Sequence, residues 1–410
     1  MTERVGIERI AAGGDGVGHL EDGRVVFVPR TAPGDVVTLK GLRLSRRFAR
    51  ARLDQILEPG PDRIEPRCPH YVEDSCGGCQ LQHLTTGAQL AARRSFVGDA
   101  LRRLARLDVP DPEIEPAGSQ FGYRTKLTLA ATPGARRIGL HPLGQAQDTF
   151  ELRRCHIAGE LLMELWTAIR TVKSLLPAGL DRLVLRLDRS GGRHLVANVG
   201  GSTVWTRAKH LASELEQRKA PATLWWHPEG GVARIVAGPG GSNGPPMTAF
   251  EQVHPAMGDR VRRFAISRLG PLANQRVWDL YAGIGETTAL LVEERAEVES
   301  VERDPRAVAH ADSTGPRAIR HAGSAEIVMS RLKDADLVVT NPPRTGMDPA
   351  VTNAIAAGSA RRMVYVSCDP GTLARDIGML GSRFTLAELR SFDMFPQTAH
   401  VETVAVLDRV

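Results

Sequence analysis

Four apolar runs in the C-terminal part of this chain each close on polar residues, and they constrain its fold more than anything else does. They are Val277-Trp278-Asp279-Leu280, Val298-Glu299-Ser300-Val301-Glu302, Leu337-Val338-Val339-Thr340 with Asn341 next, and Met363-Val364-Tyr365-Val366 leading to Cys368. The first passes through a glycine turn into a helix-like segment, Thr287 to Arg295. The last passes through Asp369-Pro370 into another. Buried-type strands interleaved with helices read as an α/β fold with a doubly wound, mostly parallel sheet. In such sheets ligands lie beyond the carboxyl ends of the strands. Asp279, Glu302, Asn341 and Cys368 all stand at such ends, so one cleft is expected to gather them.

The chemistry of that cleft follows from the residue types. Gly283 and Gly285, in Tyr281-Ala282-Gly283-Ile284-Gly285-Glu286, let the backbone approach a ligand at a helix N-terminus. Glu302 follows Gly285 by 17 residues, at a place where a carboxylate can hold ribose hydroxyls. Together they favour a nucleoside-bearing cofactor over a surface acid beside a structural turn. Asp369 is a good N-cap and Pro370 suits the first helical position, so Cys368 is expected near the positive end of a helix dipole, which favours thiolate. A nucleophile is the expectation, against a small buried core cysteine. Asp393-Met394-Phe395-Pro396-Gln397-Thr398-Ala399-His400-Val401-Glu402 adds a histidine and a carboxylate before the last strand.

The chain has five cysteines, an odd number, and in a chain expected in the cytoplasm a disulfide framework is not the first reading. Cys76-Gly77-Gly78-Cys79, with Cys68 before it and Cys155 from a distant segment, supplies four thiolates. These suit zinc or an iron–sulfur cluster, and spacing alone does not choose. A redox dithiol would leave Cys68 and Cys155 without a part.

At 410 residues and 42% hydrophobic, the chain can hold two or three domains with real cores. Residues 1–57 read as a small β-barrel of short, glycine-split strands. Lys40 to Arg52 follows with six cations and no acid, either a solvated edge or a phosphate contact. Residues 58–247 read as a central α+β unit carrying the four cysteines. Its helix-like segment runs from Ala88 to Leu107, with strands at Leu183 to Leu187 and His194 to Val199. Arg124 and Lys126 are candidate RNA contacts, and Trp225-Trp226 is assigned to the core. A glycine- and proline-rich loop at 237–246 leads to the catalytic unit, 248–410. The net charge of +6 fits a polyanionic partner. No apolar run is long enough to span a membrane, and the N-terminus lacks an apolar signal core, so the expected compartment is the cytoplasm.

Read together, SCDPGTLARD, NPPRTG, DMFPQTAHVE and CPHY…CGGCQLQHL resemble the S-adenosylmethionine-dependent RNA 5-methyluridine (uracil-C5) methyltransferases, over nearly the whole chain. The first 57 residues, through GDGVGHLEDGRVVFVPRTAPGDVV, resemble the TRAM domain, an OB-like RNA-binding barrel. The resemblance implies a Rossmann-like class I methyltransferase domain with Cys368 as nucleophile and Glu402 as general base. It places S-adenosylmethionine at Gln252, Tyr281, Gly283, Gly285, Glu286, Glu302 and Asn341. It implies a 4Fe-4S iron–sulfur cluster on Cys68, Cys76, Cys79 and Cys155, with RNA as the partner of a monomer: 23S rRNA first, a tRNA T-loop second. The chain departs from the family pattern in four places. Asn341 stands where Asp is usual, His254 where Asn is common, and Asp369 where Asn is frequent. Seven residues, rather than the common five, separate Cys68 from Cys76.

The chemistry accounts for these residue types. C5 of uracil becomes a nucleophile once a thiolate adds at C6, and a base must then remove the C5 proton. The target base must be looped out or flipped. Amino-group methylation shares Asn-Pro-Pro but wants an aromatic where Arg344 stands, and needs no cysteine. Cytosine-C5 methylation and an inactive RNA-binding protein rank lower.

Overall fold

The computed structural model describes residues 4–201, 204–240 and 251–410. Residues 241–246 of the expected boundary loop, the 247/248 boundary and Phe250 lie outside the described residues. Three sheets organise the chain.

The first is a closed barrel of Arg4–Ile10, Asp15–His19, Val25–Pro29, Phe48–Glu58 and Val36–Leu44. Alternate residues such as Val5, Ile7, Val26, Val28, Val37 and Ala49 point inward and make its core. The basic run is neither loop nor linker. It forms the outer part of the long hairpin Val36–Leu44 and Phe48–Glu58, where Arg43 faces Arg50 across the strands. Leu44 and Phe48 are exposed there, and the Arg50 guanidinium lies over the rings of Phe27 and Phe48.

The second sheet holds seven strands, with the hairpin Leu180–Leu187 and Arg193–Val199 near its middle. Helices Glu160–Thr171 and Ala208–Gln217 cover one face, and Trp226 is buried in that core. The strands expected at 183–187 and 194–199 are therefore present, extended at their N-terminal ends.

The third sheet is the α/β unit foreseen from the apolar runs. Edge to edge it runs Ile319–Ala322, Glu297–Glu302, Arg276–Leu280, Leu337–Thr340, Arg362–Ser367, Glu402–Arg409, Phe384–Phe392 and Glu113–Glu115. The first five are mutually parallel; Glu402–Arg409 runs antiparallel to them, and Phe384–Phe392 runs antiparallel to Glu402–Arg409. Leu337–Thr340 is buried on both faces, as a central parallel strand requires. Glu113–Glu115 comes from the stretch read as the central unit, yet it pairs with Phe384–Phe392 and covers that edge. Helix Thr86–Ala100, which continues into a π-type turn at Leu101–Ala105, lays Val97 and Leu101 into the same core.

This helix also locks down the segment before the last strand. Arg93 and Asp393 are both fully buried, 3.1 Å apart. Arg93 donates further to the carbonyls of Phe395 and Thr398. A charge pair so buried stabilises only while both partners are present; removing one costs about 3–5 kcal/mol. The stretch from Asp393 to His400 is thus fixed by residues some 300 positions earlier in the chain.

Candidate active site

The carboxyl ends of the parallel strands open into a cavity of about 840 Å³. Gln252, Tyr281, Gly283, Glu302, Asn341, Cys368 and Glu402 all line it. A smaller recess beside it is lined by Glu286 and Asp279 together with Gln252, Tyr281, Gly283 and Asn341. Gly285 N-caps helix Glu286–Glu293 at φ 83° and lines neither. Three of the four strand-end residues, Glu302, Asn341 and Cys368, thus share one cavity, whereas Asp279 lines only the smaller recess.

One side of the cavity is built by the first strand's turn. Tyr281 and Gly283 both take positive φ, and the space where a Cβ on Gly283 would sit is open. Glu302 is held by two backbone N–H groups, Gly283 to Oε2 at 2.9 Å and Asp304 to Oε1 at 2.8 Å. Asp279 is buried behind the turn and accepts from Thr288 Oγ1 at 2.6 Å; burial pushes its carboxyl up to about 7. Glu286 meets Arg262 at 3.0 Å and pairs with Arg189, which reaches across from the central sheet's hairpin. That ion-pair network was not legible in the sequence.

The other side carries Cys368, after Arg362–Ser367, and Glu402, the first residue of Glu402–Arg409. Asp369 caps helix Pro370–Leu380 by accepting from the Thr372 N–H at 2.9 Å, as its sequence predicts. The expected thiolate, however, does not follow. Burial, then Glu402, push the Cys368 thiol up to about 11, with Arg344 opposing them. The capping carboxylate of Asp369 sits at the same helix N-terminus, and its negative charge adds to the upward shift. Glu402 is 2% exposed, and burial raises its carboxyl to about 7, opposed by Arg344 and by a hydrogen bond from Gln252. Its Oε2 has no hydrogen-bond partner among the described residues. A buried acceptor left open costs about 1–3 kcal/mol, a strain that functional sites tolerate.

Arg344 is the site residue that sequence reasoning passed over. Its guanidinium hydrogen-bonds Cys368, acts on Glu402 and lies 3.3 Å from His400 Nε2. The turn that presents it closes with Gly346 N–H donating to the Pro343 carbonyl at 2.8 Å. Gly346 has φ 77°, and a Cβ there would lie 2.6 Å from Asp376 Oδ2, which explains the glycine of NPPRTG. Since Arg344 is a cation that favours thiolate, Arg344→Ala should slow iodoacetamide alkylation of Cys368 at pH 8 by roughly 3–10-fold, with Arg344→Lys in between. Unchanged alkylation would remove Arg344 from the thiol's environment. Asn341 lines the cavity and its side chain makes no hydrogen bond with another described residue, so its amide is available to a ligand.

The four other cysteines, Cys68, Cys76, Cys79 and Cys155, line a separate cavity of about 280 Å³, and all are free thiols. Burial raises Cys76 to about 11 and pushes Cys79 and Cys155 upward as well. Among the described residues no group of three or more His, Cys, Asp or Glu is arranged to hold a metal ion. Lys126 lines this cavity, and Arg124 lines both it and the large one, with its Nε buried and unpaired among the described residues. His254, at the other departure from the family pattern, is buried and stacks on Tyr123.

Comparison with known proteins addresses the same features. Residues 320–410 match the tRNA (uracil-5-)-methyltransferase family model, and residues 1–53 match the TRAM domain. A 23S rRNA (uracil(1939)-C(5))-methyltransferase of Pseudomonas putida is 32% identical, over 99% of this chain and 93% of its own. The chain belongs to the RNA uracil-C5 methyltransferase family. An uncharacterised RNA methyltransferase of Thermosynechococcus vestitus, 31% identical, covers 99% of this chain and 98% of its own. In fold, the chain resembles the Pyrococcus abyssi tRNA (uracil-54, C5)-methyltransferase, solved with S-adenosyl-L-homocysteine. The TM-score is 0.74 over 98% of this chain and 99% of that one, at 21% identity. The family's TRAM barrel and α/β unit are thus both present. No helix among the described residues is long and apolar enough to cross a membrane.

Proposed function

We propose that this family member methylates C5 of a uridine in 23S rRNA, with S-adenosylmethionine as donor and Cys368 and Glu402 as the reacting pair. One observation carries the reading: a cysteine and a buried carboxyl line the same cavity as the glycine turn and Glu302. The donor side fits a nucleoside, because Gly283 leaves open space and Glu302 is pre-oriented by two N–H groups. S-adenosylmethionine supplies an electrophilic methyl. Cys368 as thiolate bonds to C6 of the uracil, and the electron pair of the C5=C6 bond becomes available at C5. Once C5 carries the methyl, Glu402 takes the C5 proton, the C6–S bond breaks, the double bond re-forms and the thiolate is released. Glu402, with a carboxyl near 7, is poised to accept a proton at neutral pH. Arg344 offers the counter-charge the thiolate needs.

Cys68, Cys76, Cys79 and Cys155 are read as ligands of a 4Fe-4S cluster. Three buried thiols and the half-buried Cys155 around a cavity of about 280 Å³ fit a body larger than one ion, which would need all sulfurs at about 2.3 Å from a single point. Such a cluster supplies cross-linking of the two segments, and methylation needs no redox step. Anaerobically purified protein should contain about four irons and four sulfides per chain, and Cys79→Ser should lose both; iron-free wild type would exclude the cluster.

The chain is read as a cytoplasmic monomer, with the barrel's Arg43, Arg50 and Phe48 and the cavity-lining Arg124 meeting RNA. The 32% identity to a 23S rRNA enzyme supports reading 23S rRNA ahead of tRNA. Nucleoside mass spectrometry of 23S rRNA and tRNA, from cells with and without the gene, tests the choice. Loss of 5-methyluridine from 23S rRNA supports it; loss from tRNA alone replaces the substrate.

A further inference from the structure

Gln80 follows the last cysteine of the CGGC loop directly, and it and Leu81 together touch the segment that leads to Glu402 at three points. The Gln80 and Leu81 N–H groups both donate to the Gln397 carbonyl, at 3.1 and 3.0 Å. The Gln80 side-chain oxygen accepts from the Ala399 N–H at 3.2 Å. Its amide nitrogen donates back to the Gly77 carbonyl at 2.8 Å, so the side chain bridges the cysteine loop and the catalytic segment. From Ala399 the chain needs only three residues to reach Glu402, passing His400, the neighbour of Arg344. Gln397 is gripped from the other side as well: its N–H donates to Gln89 Oε1 at 3.1 Å, and its Oε1 accepts from Gln89 Nε2 at 3.0 Å.

These bonds do more than hold a loop in place. Glu402 is the first residue of its strand and makes no ion pair among the described residues; Gln252 hydrogen-bonds its carboxyl and Arg344 acts on it, and the backbone that enters the strand sets where that carboxyl starts from. That entry is fixed by helix Thr86–Ala100 on one side and by the cysteine loop on the other. A misplacement of about 1 Å in a proton acceptor can cost on the order of 100-fold in rate.

We propose that Gln80 is a positioning residue for catalysis: it ties the cysteine loop to the Gln397–Ala399 segment and thereby sets the approach of Glu402 to the C5 proton. The inference rests on the reading of Glu402 as the base. Its direct consequence is that order in the cysteine loop is transmitted to the proton-removal step and not to donor binding.

The test compares wild type, Gln80→Leu and Gln80→Glu in single turnovers on 23S rRNA. Gln80→Leu keeps the volume but loses both side-chain bonds. Gln80→Glu keeps an acceptor for the Ala399 N–H. Gln80→Leu should slow release of methylated RNA at least tenfold and accumulate a covalent protein–RNA complex. KM for the donor should stay within about threefold. Gln80→Glu, which keeps the acceptor for the Ala399 N–H but loses the donor to the Gly77 carbonyl, should recover release only part-way, between Gln80→Leu and wild type. A purely structural role would instead lower activity in step with the folded fraction, with no trapped complex, and that result overturns the proposal, as does wild-type release by Gln80→Leu. If Gln80→Leu does not fold, Gln80→Asn, which retains the amide one carbon short, takes its place. Failure of the base assignment is seen separately, as normal release by Glu402→Gln.

Discussion

With alanine in place of Cys368, methyl transfer to uracil falls by about 10⁴-fold or more, while the donor still binds within about twofold. The size of the loss follows from the chemistry: without a bond at C6, C5 of uracil has too little electron density to take a methyl. Donor binding survives because the residues around the nucleoside recess, Gly283 and Glu302 among them, belong to other strand ends. Residual turnover above a hundredth of wild type, measured in single-turnover methyl transfer, would exclude covalent catalysis by this thiol. The free site holds Cys368 as a thiol at neutral pH, since burial and Glu402 keep it near 11. Formation of the thiolate must therefore draw on Arg344 and on the bound substrate.

Glu402→Gln separates methyl transfer from release. Glutamine fills the same space but accepts no proton, so the C5 proton stays and the C6–S bond persists. Product release should slow by about 10²–10⁴-fold and a protein–RNA adduct should accumulate. In wild type the release rate should rise with pH through about 7, as the raised carboxyl ionises. The same substitution affects stability in a pH-dependent way. The folded state holds Glu402 at about 7 against an ordinary 4.5, so it prefers the protonated form. Its contribution is complete below pH 4.5 and is lost as pH rises through 7. Glu402→Gln, permanently neutral, should therefore be more stable than wild type at pH 8, by about 1–3 kcal/mol, and equal to it below pH 4.5. Equal denaturation midpoints at pH 8 would contradict the buried, unpaired setting of this carboxyl.

The parallel core and its cleft were legible because period and strand ends carry direct signals. Leu337–Thr340 is apolar on both faces, and Asp369-Pro370 announces a capped helix. Other features left no local trace. Glu113–Glu115 is three residues long and polar, so nothing marked it as an edge strand of the catalytic sheet. The basic run was legible as a solvated edge or phosphate contact from its charge, but nothing in it marked the long hairpin Val36–Leu44 and Phe48–Glu58 that carries it. Cys368 was expected to ionise because its helix was read without the effect of the capping carboxylate and of Glu402, which arrives from a strand far along the chain. Arg344 acquired its place between Cys368 and Glu402 only through a turn whose closure depends on Gly346 meeting the Pro343 carbonyl. The grip of Gln80, Gln89 and Arg93 on residues 393–399 spans about 300 residues, and no pattern in sequence reports such pairs.

The central claim is a bond between Cys368 and C6 of a uracil. RNA carrying 5-fluorouridine tests it most directly, because fluorine at C5 leaves no proton for Glu402 to take. With S-adenosylmethionine present, intact mass spectrometry should show a stable one-to-one protein–RNA complex one methyl group heavier than its two parts. Peptide mapping should place the RNA fragment on Cys368. Methylation of ordinary 23S rRNA by the same preparation, with no adduct on the fluorinated RNA or with the adduct on another residue, would contradict it.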